Sequence, residues 1–320
     1  MNMSAPGFAA TPPGCFFGVW MINEQLTQRI RPQRGLMMFL APWGDNGWVR
    51  VGGINGIDDP GIQRTEYHFV TWDDKVYPVF GSDPRHTRYK KIDDFTLESS
   101  SIRENRPERA GNSSITEFSE DCTRINWIST ILDDRNDDPN KKDIRVYDKV
   151  EPYAAATSDI YFGAWKLNRQ ASTLMRSPMD EETVVFVPWG DNGWAHITIS
   201  GSYQPEDFKG GLKPTRAERR PERNMYWATW DGTPAFNSGY DPAQVTVRKI
   251  GDYRFVTEFI RIHQPWQQGE TGTIVFSNDG KRVTETRSGI GVDGIEFHND
   301  IRVYDKIVPA EWPGEIRAPQ

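Results

Sequence analysis

The heptapeptide Pro-Trp-Gly-Asp-Asn-Gly-Trp occurs twice in this chain, at Pro42–Trp48 and again 146 residues later at Pro188–Trp194. Seven identical residues at one offset mark an internal duplication, so the fold must be built twice. Each copy places Asn-Gly (Asn46-Gly47, Asn192-Gly193) before a strand-like run, Trp48–Val51 and Trp194–Ile199. Asn-Gly readily supplies the positive φ angles of a tight hairpin, which predicts a turn between two strands.

The flanking sequence extends the duplication. Gly18-Val19-Trp20 matches Gly163-Ala164-Trp165, and Glu66–Trp72 matches Asn224–Trp230. Each repeat closes on Ile-Arg-Val-Tyr-Asp-Lys, at Ile144–Lys149 and Ile301–Lys306. The offset grows by twelve residues in repeat two, which assigns a surface-loop insertion to Ser202–Arg223, either a lid or an inert excursion. Short alternating runs such as Phe95–Arg103 and Arg254–His263 lie between the landmarks, punctuated by Gly, Asn, Asp or Pro. Helical periodicity is absent. Each repeat is therefore expected to be an antiparallel sheet of about eight to ten strands, closed into a barrel that leaves no edge. The expected layout is all-β: a tail at 1–14, a barrel at 15–152, a second barrel at 153–308 and a tail at 309–320.

A net charge of −7 argues against a nucleic-acid or anionic-membrane partner, and no apolar run approaches the length of a membrane span. The 12 Trp residues suit half-buried sheets with aromatic pockets. Cys15 and Cys122 have no cysteine counterparts in repeat two, so neither a disulfide framework nor a metal cluster is expected. The residues from Met1 to Gly14 lack the pattern of a secretory signal, and a cytoplasmic location is the expectation.

The Gly-x-Trp openings and the Val-Tyr-Asp-Lys endings resemble the lipocalin-like, or calycin, families. Gly163–Asn168, Ser277–Lys281 (Ser-Asn-Asp-Gly-Lys) and Val303–Lys306 are similar to bacterial lipocalin-like domains of unassigned function. Repeat one departs in the middle motif, with Ser119–Thr123 in its place. The resemblance implies that a basic residue of the last strand packs across the opening Trp, Arg145 on Trp20 and Arg302 on Trp165. In domain arrangement alone, two such barrels are similar to carotenoid hydratases and lipocalin-like cyclases.

No Ser-His-Asp order, phosphate loop or dinucleotide fingerprint stands out, so no cofactor is expected. The five His residues are scattered, and no metal site is expected. Strand alternation puts Trp48 and Arg50 on one face and Trp194 and His196 on the equivalent face. His68 and Tyr226 occupy matching positions, each able to give or take a proton. Positions that differ between repeats are the better candidates, because a duplicated scaffold keeps its structural residues in both copies. These are His68, His196, Tyr226, Glu258 and His263 as acid–base groups. Trp48, Arg50, Trp72, Arg103, Trp194, Trp227, Trp230 and Arg261 are candidate ligand contacts. The recurrence of Arg103 and Arg261 favours a shared structural ion pair, and Asp45 and Asp191 are expected to brace their turns.

The expected function is a cofactor-independent lyase, hydratase or cyclase using acid–base chemistry on an apolar, aromatic small molecule in a Trp-lined pocket. The alternatives are a carrier of a hydrophobic ligand without turnover, and a pair of packed structural barrels. Homodimer formation stays open.

Overall fold

The computed structural model describes residues 16–28, 35–54, 66–81, 85–103, 111–131, 142–150, 160–175, 182–200, 222–239, 243–262, 265, 269–290 and 294–308. Repeat one forms β1 (Gly18–Ile22), β2 (Met37–Pro42), β3 (Gly47–Ile54), β4 (Glu66–Thr71) and β5 (Tyr77–Gly81). It continues with β6 (Arg85–Lys91), β7 (Thr96–Arg103), β8 (Asn112–Phe118), β9 (Arg124–Ile131) and β10 (Lys142–Lys149). Repeat two forms β11 (Gly163–Leu167), β12 (Glu182–Pro188), β13 (Gly193–Ser200), β14 (Glu222–Thr229) and β15 (Ala235–Gly239). β16 (Ala243–Gly251), β17 (Arg254–Arg261), β18 (Glu270–Phe276), β19 (Arg282–Ile290) and β20 (Glu296–Lys306) complete it.

Each repeat is a closed antiparallel barrel in which neighbours in sequence are neighbours in space, and β1 or β11 closes the ring against β10 or β20. The expected all-β tandem architecture is therefore the observed one. Most of the insertion Ser202–Arg223 and the acidic run Asp133–Asp138 lie outside the described residues.

The alternation rule fails at β2, β3, β12 and β13, and for a physical reason. Phe39, Ala41, Val49 and Val51 of barrel 1 form one buried cluster with Val185, Val187, Ala195 and Ile197 of barrel 2. The outer faces of these strands pack barrel against barrel. Both faces of the strands are dry, so their sequences read as near-continuous apolar runs. The duplicated turn serves both sides: Trp48 and Trp194 enter their own barrels, while Trp43 and Trp189 join the inter-barrel cluster. Trp43 Nε1 donates to the Ile307 carbonyl at 3.2 Å across that interface.

The turn's glycines act differently from the sequence expectation. Positive φ falls at Gly44 (64°) and Gly190 (60°), not at the Asn-Gly pairs. Gly47 and Gly193 are instead required for space. A Cβ on Gly47 would lie 2.3 Å from the Val70 carbonyl oxygen, and one on Gly193 would lie 2.6 Å from that of Trp189. The Asn46 and Asn192 carbonyls accept the backbone N–H of Trp72 and Trp230, which ties each turn to the next one.

The cysteine expectation is corrected. Cys122 is disulfide-bonded, and the chain's one other cysteine is Cys15. The turns Ser119–Thr123 and Ser277–Lys281 share their bonding: Ser119 and Ser277 each donate to an Asp Oδ1 two residues on, at 2.6 Å. Cys122 stands at φ 54°, where Gly280 stands at 65°. A side chain in that left-handed region is unfavourable. A Cβ on Gly280 would meet Ile160 Cγ1 at 3.2 Å. The offset that aligns Gly163 with Gly18 aligns Ile160 with Cys15.

Candidate functional site

Both barrels are floored by aromatic rings. In barrel 1, Phe16 stacks on Phe118 at 3.8 Å, and Trp48 meets Trp72 and Tyr89 edge-on at 5.6 and 5.3 Å. In barrel 2, Trp194 lies 4.5 Å from Phe255, 4.9 Å from Phe186 and 5.4 Å from Trp230. These rings touch one another, so the candidate Trp48, Trp72, Trp194 and Trp230 form packed plugs. Lys149 Nζ lies 5.2 Å from the Trp20 ring, and Lys306 Nζ lies 5.3 Å from Trp165. The lipocalin-like pairing is thus made by lysine, not by Arg145 and Arg302. Register decides it, because Trp20 pairs with Lys149 and Trp165 with Lys306.

Above the floor of barrel 2 the interior turns polar. His196 and Tyr226 are cross-strand partners whose rings stack at 4.8 Å and 14°. The imidazole rests edge-on against Phe186, 4.8 Å away. His196 Nε2 donates to Glu285 Oε1 at 3.2 Å, and Glu285 also pairs with Arg287. An ionised carboxylate only accepts, so Nε2 is the donor in this bond. Nδ1 has no hydrogen-bond partner among the described residues. Burial alone would raise the Glu285 carboxyl, but Arg287 and His196 outweigh it and hold the group well below the usual carboxylate range. Burial, reinforced by Glu285, pushes the Tyr226 phenol well above its usual value, so it stays protonated.

A second ionic cluster sits beside this one. Arg302 Nη1 donates to Glu182 at 3.0 Å, its Nε donates to Asp300 at 2.9 Å, and the Tyr304 hydroxyl donates to Glu182. Arg261 is occupied structurally, donating to Glu270 at 2.9 Å and to the Ile290 carbonyl. Among the described residues no group of three or more His, Cys, Asp and Glu is placed to hold a metal ion.

Barrel 1 arranges different residues at the same positions. Arg50 pairs with His68 as His196 pairs with Tyr226, and Trp127 stands opposite Arg145 as Glu285 stands opposite Arg302. The Arg50 guanidinium carbon lies 4.4 Å from the Trp127 ring centroid. Burial pushes the His68 imidazole well below its usual pKa, and the charges of Arg50 and Arg85 push the same way, so the ring is neutral.

The remaining candidates divide cleanly. Glu258 lies on the exposed outer face of β17 and reaches neither interior. Alternation from Arg261 and Phe255 already implied that face. Trp227 is also outside its barrel, 6.0 Å from Trp189 at the inter-barrel contact. His263 and the Arg103 side chain lie outside the described residues, although the backbone of Arg103 pairs with Arg85. Sequence reasoning missed Glu285, Arg287, Glu182 and Trp127. Their signal was present: each stands at an inward position that differs between the repeats.

The sequence matches no protein-family model and no curated protein. Among solved structures it is similar to a double mutant of transferrin binding protein B from Haemophilus parasuis Hp5. That likeness has 9% identity, covers 76% of this chain and 65% of the other, and has a TM-score of 0.19. A TM-score that low carries no argument about activity.

Proposed function

We propose that barrel 2 is the catalytic half of a cofactor-independent lyase, hydratase or cyclase, with His196 as general base and Tyr226 as general acid. The observation that carries this is the buried His196–Glu285 pair, whose imidazole stacks on a protonated phenol and whose Nδ1 has no hydrogen-bond partner among the described residues. Glu285 stabilises the imidazolium that forms as His196 takes a proton. In an elimination, the C–H electrons become the new double bond and the proton goes to Nδ1. The C–O bond breaks as that double bond forms, and the departing oxygen takes the Tyr226 proton. Transfer of the proton from His196 to the phenolate restores both groups, and addition of water runs the same steps in reverse. The aromatic floor of Phe186 and Trp194 makes the surroundings of His196 apolar, which suits a flat, apolar substrate.

The lipocalin-like resemblance, and the two-barrel arrangement of carotenoid hydratases and lipocalin-like cyclases, agree with small-molecule chemistry inside a barrel. The disulfide at Cys122 favours an oxidising compartment over the cytoplasm. A second role, ligand retention without turnover, draws support from barrel 1. There His68 has no carboxylate partner among the described residues.

The test is to titrate the protein with a panel of aromatic and isoprenoid hydroxy compounds and their dehydrated forms, following Trp fluorescence. Each quenching compound is then analysed by mass spectrometry after incubation. Turnover that falls about 10²- to 10⁴-fold in both His196→Ala and Tyr226→Phe, with quenching retained, is the expected result. Quenching with every compound recovered intact, or unchanged turnover in His196→Ala, defeats the proposal.

A further inference from the structure

We propose that the interior of barrel 1 is a separate binding site for a small monocarboxylate with a flat, unsaturated body. It is independent of the acid–base site in barrel 2.

The inference starts from a buried cation. Arg50 is 5% exposed, yet its contacts are the Trp127 ring and the Met38 sulfur, which its Nε approaches at 3.2 Å. It makes no ion pair with any described carboxylate. The nearby carboxylates have their direct ion pairs elsewhere: Arg85 holds Glu66 at 2.7 Å and Arg145 holds Asp143 at 2.8 Å, and Glu66 feels the Arg50 charge without pairing with it. A buried guanidinium without a directly paired counter-ion is costly, and an anionic ligand lowers that cost. Stacking on Trp127 uses the guanidinium face and leaves its N–H edge, which matches a carboxylate. Gly52 makes the room. A Cβ there would lie 3.2 Å from Arg50 Nη2.

The neighbours of Arg50 repeat the same signal. His68 is 1% exposed, and neither ring nitrogen has a hydrogen-bond partner among the described residues. The Trp127 Nε1 and the Thr116 hydroxyl are also buried without hydrogen-bond partners among the described residues. The four residues are contiguous: His68 pairs with Arg50, Arg50 stacks on Trp127, and Trp127 pairs with Thr116. Imidazole, indole and hydroxyl can each donate, so beside the guanidinium the cluster is donor-rich and holds no anionic acceptor. An acceptor-rich anion completes it. One uncompensated cation selects a monoanion over a dianion, and the Trp127 and Tyr89 rings select a flat body.

The experiment is a calorimetric titration of the intact protein with benzoate, phenylacetate, cinnamate and 2-naphthoate, each beside its neutral amide. Saturable binding of at least one acid, about ten- to hundredfold tighter than its amide, is expected. That comparison needs no variant. Arg50→Met should erase the preference, while His196→Ala should leave it intact. Equal affinity for acid and amide, no saturation by any of the four acids, or a preference that survives in folded Arg50→Met overturns the proposal. His196 plays no part here, so turnover in barrel 2 succeeds or fails separately.

Discussion

Replacing Glu285 by glutamine isolates the ionic core of barrel 2. Glutamine keeps an oxygen to accept from His196 but leaves Arg287 without its charge partner. Glu285 is 1% exposed, and loss of one member of a buried pair costs about 3–5 kcal/mol. The Arg287 side chain retains 23% of its exposure, which places the expectation at the low end, about 3 kcal/mol at pH 7. The pH dependence gives a sharper check. The folded-state carboxyl is held far below the ordinary 4.5 that it regains on unfolding. Its stabilisation is therefore complete above pH 4.5 and declines as pH falls, because the unfolded state takes up the proton first. Each pH unit below 4.5 removes about 1.4 kcal/mol, so the gap between wild type and Glu285→Gln should shrink by about 2 kcal/mol at pH 3. Urea unfolding of both proteins at pH 7 and pH 3, followed by fluorescence and far-ultraviolet circular dichroism, measures it. A gap below about 1 kcal/mol at pH 7, or one that does not narrow at pH 3, refutes the assignment of Glu285 as a buried, ionised partner.

Gly44→Ala should cost about 1 kcal/mol, the penalty of a left-handed φ, whereas Gly47→Ala should cost about 2 kcal/mol or more through its clash with the Val70 carbonyl. Equal costs in thermal melts would contradict the separate roles of the two glycines. Ile197→Ala on the inter-barrel face should cost about 2–5 kcal/mol, against about 0.5 kcal/mol or less for Ile260→Ala on an exposed face. A small effect at Ile197 in urea titrations would mean that the barrels do not pack there. Reduction with dithiothreitol, or Cys122→Ser, should lower stability by about 2–4 kcal/mol, and a melting curve indifferent to reductant would exclude the disulfide.

Much of the fold was legible in the residues. The repeated heptapeptide, the Gly-x-Trp openings and the closing hexamers located the strands. They also aligned Arg50 with His196 and His68 with Tyr226, which the strand register bears out. The site was legible only in fragments. His196 and Tyr226 were identified, but Glu285 stands 89 residues from His196. Nothing local in Arg282–Ile290 shows which side chain crosses the barrel to meet it. Glu258 was misplaced although its parity with exposed Ile260 was available, and Trp227 was misplaced because strands buried on both faces give an inward and an outward ring the same apolar context.

The sequence by itself determined the duplication, the all-β architecture and the two unequal interiors, because these follow from periodicity and from comparing one half with the other. Tertiary structure decided that lysine and not arginine covers Trp20 and Trp165, and that Cys122 ends in a disulfide. It also decided that a single face of each barrel is dry on both sides, and that His196 meets a carboxylate while Arg50 pairs with none among the described residues. Each of those outcomes depends on which side chains a closed sheet brings together across its interior, and that depends on register and closure, which no local pattern encodes.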